Sequence, residues 1–127
     1  MGKFIIKTQK DGQFMFNLKA SNGEIILTSE AYTTKQNCLN GIESVKENSK
    51  NGMIIEESDT TPREDVFKMQ KGLFITHNHD GNWGFNLVAR NGEIIGRSES
   101  YTSRAGMENG IMSIVENAAG AKIEDEC

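Results

Sequence analysis

The sequence has little of what marks secreted or membrane proteins: it contains one proline, two cysteines and no long apolar run. A helix that crosses a bilayer needs about 20 predominantly apolar residues in succession, and no segment approaches that length. The N-terminal residues also lack the apolar length of a signal peptide. We therefore expect a cytoplasmic protein.

The two cysteines do not predict a disulfide, because they occupy non-equivalent places in the sequence pattern. Helical spacing puts Cys38 on the apolar side of a predicted helix, where cysteine behaves as a small core residue. Cys127 is the last residue of the chain and is expected to be an oxidisable thiol. No histidine or asparagine constellation accompanies either thiol, so neither is predicted to be catalytic.

The chain also lacks an excess of positive charge. Lysine and arginine number 14 against 18 acidic residues, which gives a net charge of −4. This balance argues against general binding of nucleic acid or of an acidic membrane surface. It identifies no partner, and we expect a monomer without a cofactor.

What the sequence does contain is a repeat. Residues 16–26 read FNLKASNGEII, and residues 85–95 read FNLVARNGEII. Adding 69 to each position carries the first copy onto the second without a gap, and about 24 of 58 pairs are identical. A copy of this size would be marginally stable alone, so we predict a single duplicated domain with a shared core. Its predicted parts are repeat 1 at residues 1–58, a connector at 59–71 and repeat 2 at 72–127, together forming one domain over 1–127.

The start of each repeat has the pattern of antiparallel strands. Apolar residues recur at every second position from Phe14 to Ala20, which is the period of a half-buried strand. Gly12 is predicted to close a three-residue loop before this strand. That loop sets Phe16 opposite Ile6 and keeps apolar side chains on one face.

A second hairpin follows at Asn22-Gly23, the strongest turn signal in the chain. We predict a two-residue type I′ turn, which requires both residues to adopt positive φ. The resulting register places Ala20 opposite Ile25 and Leu18 opposite Leu27.

A helix then follows in each repeat. Thr33 is the predicted N-cap, with Gln36 completing a capping box, and Thr102 is its counterpart. Gly41 and Gly110 lie inside the two helices, where glycine costs about 1 kcal/mol relative to alanine, so we expect the helix backbone to approach the sheet closely there. The predicted core positions of the helices are Cys38, Ile42, Val45 and Ser49, and Met107, Ile111, Ile114 and Ala118.

Each helix is predicted to end at a turn that leads into a short strand. Asn51-Gly52 ends the first helix before a strand at residues 53–55, and Ala119-Gly120 ends the second before Lys122-Ile123. Residues 58–72 contain the single proline, Pro62, and include the predicted connector at 59–71.

Three duplicated motifs carry a resemblance to a known family: FNLKAxNGEII at residues 16–26, SExY at 29–32 and GIxSVxxN at 41–48. With them the chain resembles the YegP-like family of small uncharacterised bacterial proteins. The resemblance implies an α+β fold in which a β-β-β-α-β unit occurs twice and the last strand of each unit is exchanged. It implies no established activity, ligand or catalytic residue. We predict one mostly antiparallel sheet of about eight strands with two helices on one face.

His77, His79 and Asp80 form the one cluster that looks like metal ligation. In the predicted register His77 ends a strand beside Trp83, and the other two residues lie at the turn. The first copy has no histidine at these places. We interpret the cluster as a polar strand end and assign no metal site, with these three residues as weak candidates.

Each repeat also places a serine, a glutamate and a tyrosine at its strand-to-helix junction: Ser29, Glu30 and Tyr32, and Ser98, Glu99 and Tyr101. A nucleophilic serine needs an adjacent base and an oxyanion donor, and no histidine is duplicated with the pair. We interpret the motif as capping combined with a buried tyrosine ring whose hydroxyl bonds the backbone. No residue is assigned as catalytic or cofactor-binding.

The sheet face away from the helices is the predicted binding surface. It would be lined by Met15, Asn17, Lys19 and Ile26 in the first copy and by Asn86, Val88 and Ile95 in the second. Our leading hypothesis is a non-enzymatic binding or stress-associated accessory protein that uses this face or its rim for an unknown protein or extended ligand. The alternative is a small hydrolase or metal-dependent enzyme centred on the Ser-Glu-x-Tyr junctions or on His77 and His79.

Overall fold

The computed structural model describes residues 2–50, 53–56, 72–89 and 92–126. The first repeat contributes β1 (Lys3–Thr8), β2 (Phe14–Lys19), β3 (Ile25–Ser29), α1 (Lys35–Ser49) and β4 (Met53–Glu56). The second contributes β5 (Leu73–His79), β6 (Asn82–Val88), β7 (Ile94–Arg97), α2 (Arg104–Ala118) and β8 (Lys122–Asp125). These elements confirm the predicted α+β class and the duplicated β-β-β-α-β unit.

The eight strands form one sheet in the order β4-β5-β6-β7-β3-β2-β1-β8. The last strand of each repeat is exchanged: β4 pairs in parallel with β5, and β8 pairs in parallel with β1. The other neighbours are antiparallel, and β3 and β7, one from each repeat, pair in the middle of the sheet. Neither repeat is therefore complete without the other.

Both helices lie on one face of the sheet, as predicted, and share one core cluster with the strands. Phe4 and Phe16 pack edge to face at 5.6 Å between ring centroids, and Phe74 and Phe85 repeat this contact at 5.7 Å. The predicted helix positions are all buried: Cys38, Ile42, Val45 and Ser49 in α1, and Met107, Ile111, Ile114 and Ala118 in α2. We call the opposite side of the sheet the helix-free face. In the described part of the chain no helix is long and apolar enough to span a bilayer.

The first hairpin has the predicted register, with Ile6 opposite Phe16 and Gly12 at φ 84°. The second repeat differs, because Asp80 and Gly81, at φ 53° and 84°, form a two-residue turn that sets His79 opposite Asn82. The gapless alignment of the repeats is therefore wrong at their first strands. Leu18 and Leu87 are 69 positions apart, whereas their partners Phe4 and Phe74 are 70 apart.

The second hairpin contains a bulge that the sequence did not predict. Leu18 is opposite Leu27 as expected, but the register then shifts and Lys19 is opposite Ile25. The Ala20 N–H donates to the Glu24 carbonyl, so Ala20 is not opposite Ile25 as predicted. Positive φ occurs at Gly23 and not at Asn22, which excludes the type I′ turn.

The helices begin one residue later than predicted. Thr34 caps α1 and accepts a 3.1 Å hydrogen bond from the Asn37 N–H, and Ser103 caps α2 through the Gly106 N–H at 3.0 Å. The helix starts later because Tyr32 is still paired with the sheet: it exchanges two 2.7 Å backbone hydrogen bonds with Phe14 of β2. The predicted caps Thr33 and Thr102 precede the true caps, and the predicted capping box is absent from the described structure.

The C-terminal end of each helix lies against a glycine of the other repeat. A Cβ on Gly72 would lie 2.6 Å from the Asn48 Cβ, and a Cβ on Gly2 would lie 2.8 Å from the Asn117 Cβ. Both asparagines also donate to the carbonyl four residues earlier. The last residue of the GIxSVxxN motif is therefore a contact between the repeats. The predicted connector at 59–71, the helix end at Asn51-Gly52 and Cys127 lie outside the described residues.

Candidate functional site

The tyrosine of each strand-to-helix junction fills the space left by a helix glycine. A Cβ on Gly41 would lie 2.7 Å from Cζ of Tyr32, and a Cβ on Gly110 would lie 2.7 Å from Cζ of Tyr101. The Tyr32 ring also stacks on Phe16, with 6.3 Å between centroids and 10° between planes. The helix glycines were expected to let the helix approach the sheet closely. They admit the tyrosine rings, and at Gly41 the added Cβ would also lie 3.1 Å from the Phe16 ring of β2.

Each tyrosine forms a wall of a cleft between the two repeats. Cleft A has a volume of about 720 Å³ and combines the junction of repeat 1 with the second hairpin of repeat 2. Its lining residues are Glu30, Tyr32, Asn37, Asn40, Gly41, Ser44, Ala89, Glu93, Ile94, Ile95 and Arg97. Cleft B has a volume of about 550 Å³ and combines the junction of repeat 2 with the second hairpin of repeat 1. It is lined by Gly23, Glu24, Ile25, Ile26, Glu99, Ser100 and Tyr101. The clefts are related by the internal repeat, and neither repeat builds one alone.

The clefts differ in charge at one equivalent position. In cleft A, the Arg97 guanidinium lies 3.1 Å from a carboxylate oxygen of Glu30. The equivalent residue of repeat 1 is Thr28, which pairs with Arg97 across β3 and β7. Cleft B is therefore lined by two glutamates, and its described lining contains no basic side chain.

Burial and nearby carboxylates raise the pKa of both tyrosines. Burial is the main cause that raises the pKa of Tyr32, followed by Cys38 and by the charges of Glu30 and Glu93. Burial likewise raises the pKa of Tyr101, with Glu99 and Glu24 adding to it. Each ring thus presents a neutral aromatic surface beside two carboxylates.

Comparison with known proteins matches both repeats to one family. Residues 9–56 and 78–125 each match the domain of unknown function DUF1508. The chain belongs to the DUF1508 family.

DUF1508 relatives of similar length are found in several bacteria. UPF0339 protein YegP of Yersinia pestis is 41% identical over 125 residues, which cover 98% of this chain and 96% of the relative. A UPF0339 protein of Shewanella oneidensis is 40% identical over 124 residues, with coverage of 98% and 96%. These similarities confirm the resemblance to the YegP-like family that the duplicated motifs carried.

Two solved structures share the fold of this DUF1508 chain. The solution structure of a UPF0339 protein from Shewanella oneidensis has a TM-score of 0.75 and 37% identity, and covers 98% of this chain and 90% of that chain. The solution structure of yegP from E. coli, described as a protein of unknown function, has a TM-score of 0.76 and 36% identity, with coverage of 98% and 92%. The family is thus one of uncharacterised proteins, and these relatives bring no activity to this chain.

The junction serines of the DUF1508 repeats have structural hydrogen bonds. Ser29 Oγ accepts from the Phe16 N–H at 2.8 Å and donates to the Glu30 carbonyl at 2.8 Å. Ser98 makes the same two bonds, with the Phe85 N–H at 2.9 Å and the Glu99 carbonyl at 2.8 Å. Each hydroxyl proton is already donated to a carbonyl, so neither serine is arranged as a nucleophile.

The predicted binding surface is only partly on the helix-free face. Met15, Asn17, Lys19, Asn86 and Val88 alternate with core residues and lie on that face. Asn17 and Val88 are only 6% and 3% exposed, so they present little surface. The prediction was wrong for Ile26 and Ile95, which are 6% and 4% exposed and belong to the core cluster shared with the helices. The bulge in each second hairpin explains the error, because it shifts the alternation by one residue.

The histidines of the predicted metal cluster lie at the end of β5. His77 is opposite Gly84 and not beside Trp83 as predicted, because the loop is one residue shorter than in repeat 1. The rings of His77 and His79 are adjacent, with 5.2 Å between centroids. Among the described residues no three histidine, cysteine, aspartate or glutamate side chains converge, so Asp80 does not complete a three-ligand site.

Sequence reasoning missed both clefts. Their lining comes from the junction of one repeat and the hairpin of the other, and motif analysis within one repeat does not join these segments. One signal was present: in both copies a tyrosine precedes a helix glycine by nine positions, at Tyr32 and Gly41 and at Tyr101 and Gly110. That shared spacing indicated a ring packed on the helix.

Proposed function

We propose that the protein is a non-enzymatic binding protein that holds a segment of a partner protein in each junction cleft, and that basic side chains of the segment enter the clefts. The observation that carries the proposal is the repeated pairing of a tyrosine ring with two glutamates. Carboxylates attract a cation, and an aromatic face binds both the cation and the aliphatic stem of lysine or arginine.

Charge favours cleft B for the most basic side chain. Glu24 and Glu99 line it with no described cation, whereas Arg97 already pairs with Glu30 in cleft A. The exposed Ile94 at cleft A adds an apolar contact for the neighbouring part of the segment. A partner segment with mixed apolar and basic side chains fits both clefts.

A hydrolytic role receives less support from the same residues. The junction serines are engaged by backbone groups on both sides of the hydroxyl. The tyrosine rings and the glutamates line the clefts, whereas a nucleophile and its base are not brought together among the described residues.

An NMR titration with two designed peptides tests this function. ¹⁵N-labelled protein is titrated with a short peptide that alternates lysine with leucine, and with the matched peptide that alternates glutamate with leucine. We expect the basic peptide to shift the amide signals of Tyr101 and Gly110 around cleft B, and those of Tyr32 and Gly41 around cleft A. Added salt should weaken the interaction because the attraction is largely electrostatic.

A matched pair of double variants locates the site. Glu24→Gln/Glu99→Gln removes both carboxylates of cleft B and should weaken its binding about tenfold, which corresponds to 1.4 kcal/mol. Glu47→Gln/Glu116→Gln removes the same charge from exposed, equivalent positions on the helices and should leave binding unchanged. The proposal fails if the acidic peptide produces the same shifts, or if both double variants weaken binding equally.

A further inference from the structure

The end of β5 carries two imidazole rings on the helix-free face. His77 and His79 are two positions apart on the strand, so their side chains point to the same side. We propose that His77 and His79 form an open binding site for a divalent transition-metal ion, with zinc, nickel or copper as candidates. This site is separate from the clefts and does not depend on the proposed function.

The spacing of the rings fits two ligands of one metal ion. Zinc binds imidazole nitrogen at about 2.0–2.1 Å, so two rings that share a tetrahedral zinc have their centres about 5 Å apart. The centroids of His77 and His79 are 5.2 Å apart and their planes are tilted by 35°. The distance between the rings therefore matches that of two imidazole ligands on one tetrahedral ion.

His77 also has a polar atom that lacks a partner. Its Nδ1 atom is buried and makes no hydrogen bond in the described structure. Buried polar atoms are nearly always paired with protein, water or an ion. A metal ion bound at Nδ1 gives this nitrogen the partner that it lacks.

The opposite strand makes room for the His77 ring. A Cβ on Gly84 would lie 2.8 Å from Cε1 and 3.2 Å from Nε2 of His77, so any larger residue displaces the imidazole. At the equivalent pair of repeat 1, Lys7 faces Met15, which offers neither an imidazole nor the space for one. The site is therefore a feature of repeat 2 alone.

Two protein ligands define the kind of site. No third histidine, cysteine, aspartate or glutamate joins the pair among the described residues, so water fills the other coordination positions. Imidazole suits zinc, copper and nickel, whereas calcium and magnesium prefer oxygen ligands. Such a site binds ions from solution and leaves positions open for a second ligand.

Competition with a chromophoric chelator measures the affinity directly. Untagged protein in a Cys127→Ser background is titrated with zinc and with nickel at pH 7.5, so that the terminal thiol does not contribute. We expect one ion per chain. His79 is exposed, and His79→Asn should lower the metal affinity at least about tenfold. Loss of a supporting residue around a metal already costs about that much, and His79 is a direct ligand in the proposal.

Two further variants separate ligation from folding. Gly84→Ala keeps both histidines but displaces the His77 ring, so it should also weaken metal binding while the far-ultraviolet CD spectrum stays native. Asn82→Ala, opposite His79 on β6, removes no imidazole and should bind as the parent does. In NMR spectra, nickel should broaden the imidazole signals of both histidines first.

Equal affinity in the parent and in His77→Asn/His79→Asn would overturn the proposal, and so would retained tight binding in His79→Asn. Loss of binding in Asn82→Ala but not in His79→Asn would also overturn it, because the ligand would then not be the imidazole pair.

Discussion

Gly110 in α2 provides a direct test of how a tyrosine ring shapes each cleft. Alanine is favoured over glycine within a helix by about 1 kcal/mol. The added Cβ, however, would lie 2.7 Å from Cζ of Tyr101, and relieving such overpacking costs about 1–3 kcal/mol. We therefore expect Gly110→Ala to lower the free energy of unfolding by up to about 2 kcal/mol, the difference between these two estimates.

Removing the Tyr101 ring should reverse the sign of the stability change caused by Gly110→Ala. In a Tyr101→Leu background the ring is gone, so the same Gly110→Ala change should stabilise the protein by up to about 1 kcal/mol. Gly106 is a control in the same helix, since the nearest atom to its added Cβ is Ser103 Oγ at 3.2 Å and the Tyr101 ring is 3.7 Å away. Gly106→Ala should change stability equally with and without the ring.

Urea unfolding followed by CD gives the four free energies of this double-mutant cycle. We expect a coupling of about 1–3 kcal/mol between Gly110 and Tyr101. If Gly110→Ala changes stability by the same amount in both backgrounds, the glycine does not serve to admit the ring, and the account of the cleft wall is wrong.

Three further predictions concern caps, buried bonds and pH. Thr34→Ala should lower the free energy of unfolding in urea by about 1 kcal/mol because it removes the N-cap, and Thr33→Ala should lower it clearly less. A larger loss for Thr33→Ala would show that Thr33 is the N-cap after all. Ser98→Ala should cost about 1–3 kcal/mol, because the Phe85 N–H loses its acceptor, and an unchanged midpoint would contradict this. Burial raises the pKa of Tyr32, so the folded state holds its proton more tightly than the unfolded chain. The resulting stabilisation is complete below the ordinary tyrosine pKa of about 10 and is lost as the pH rises towards the folded value. Tyr32→Phe should reduce this alkaline loss when urea midpoints are compared between neutral and alkaline pH, and an identical decline in the variant would refute it.

Much of the fold was predictable because the duplicated motifs also set local structure. The alternation from Phe14 to Ala20 and the helical spacing from Cys38 to Val45 each describe a segment that buries one face. The strand exchange was not predictable from these periods, since pairing partners far apart in sequence leave no trace in local spacing. It came from the family resemblance alone.

The errors arise where alternation is interrupted by one residue. Ile25 and Ile26 are adjacent and equally apolar, so their sequence does not show which one faces the core once a bulge is inserted. Ile6 and Ile75 are identical and 69 positions apart, which supported a gapless alignment of the repeats. In the structure the equivalent of Phe4 is Phe74, 70 positions later. The clefts, and the space that Gly84 leaves for the His77 ring, depend on contacts between segments far apart in sequence. Analysis of local patterns could not predict them.

The parallel pairing of β1 with β8 determines how the domain would respond to a mechanical load. Lys3 and Lys122 are partners at one end of this ladder, and Ile6 and Asp125 are partners at the other. A force that pulls the start of β1 and the end of β8 apart slides the two strands along each other, so all the hydrogen bonds between them bear the load together. The domain should therefore resist stretching from its two ends far better than a hairpin, which opens one bond at a time.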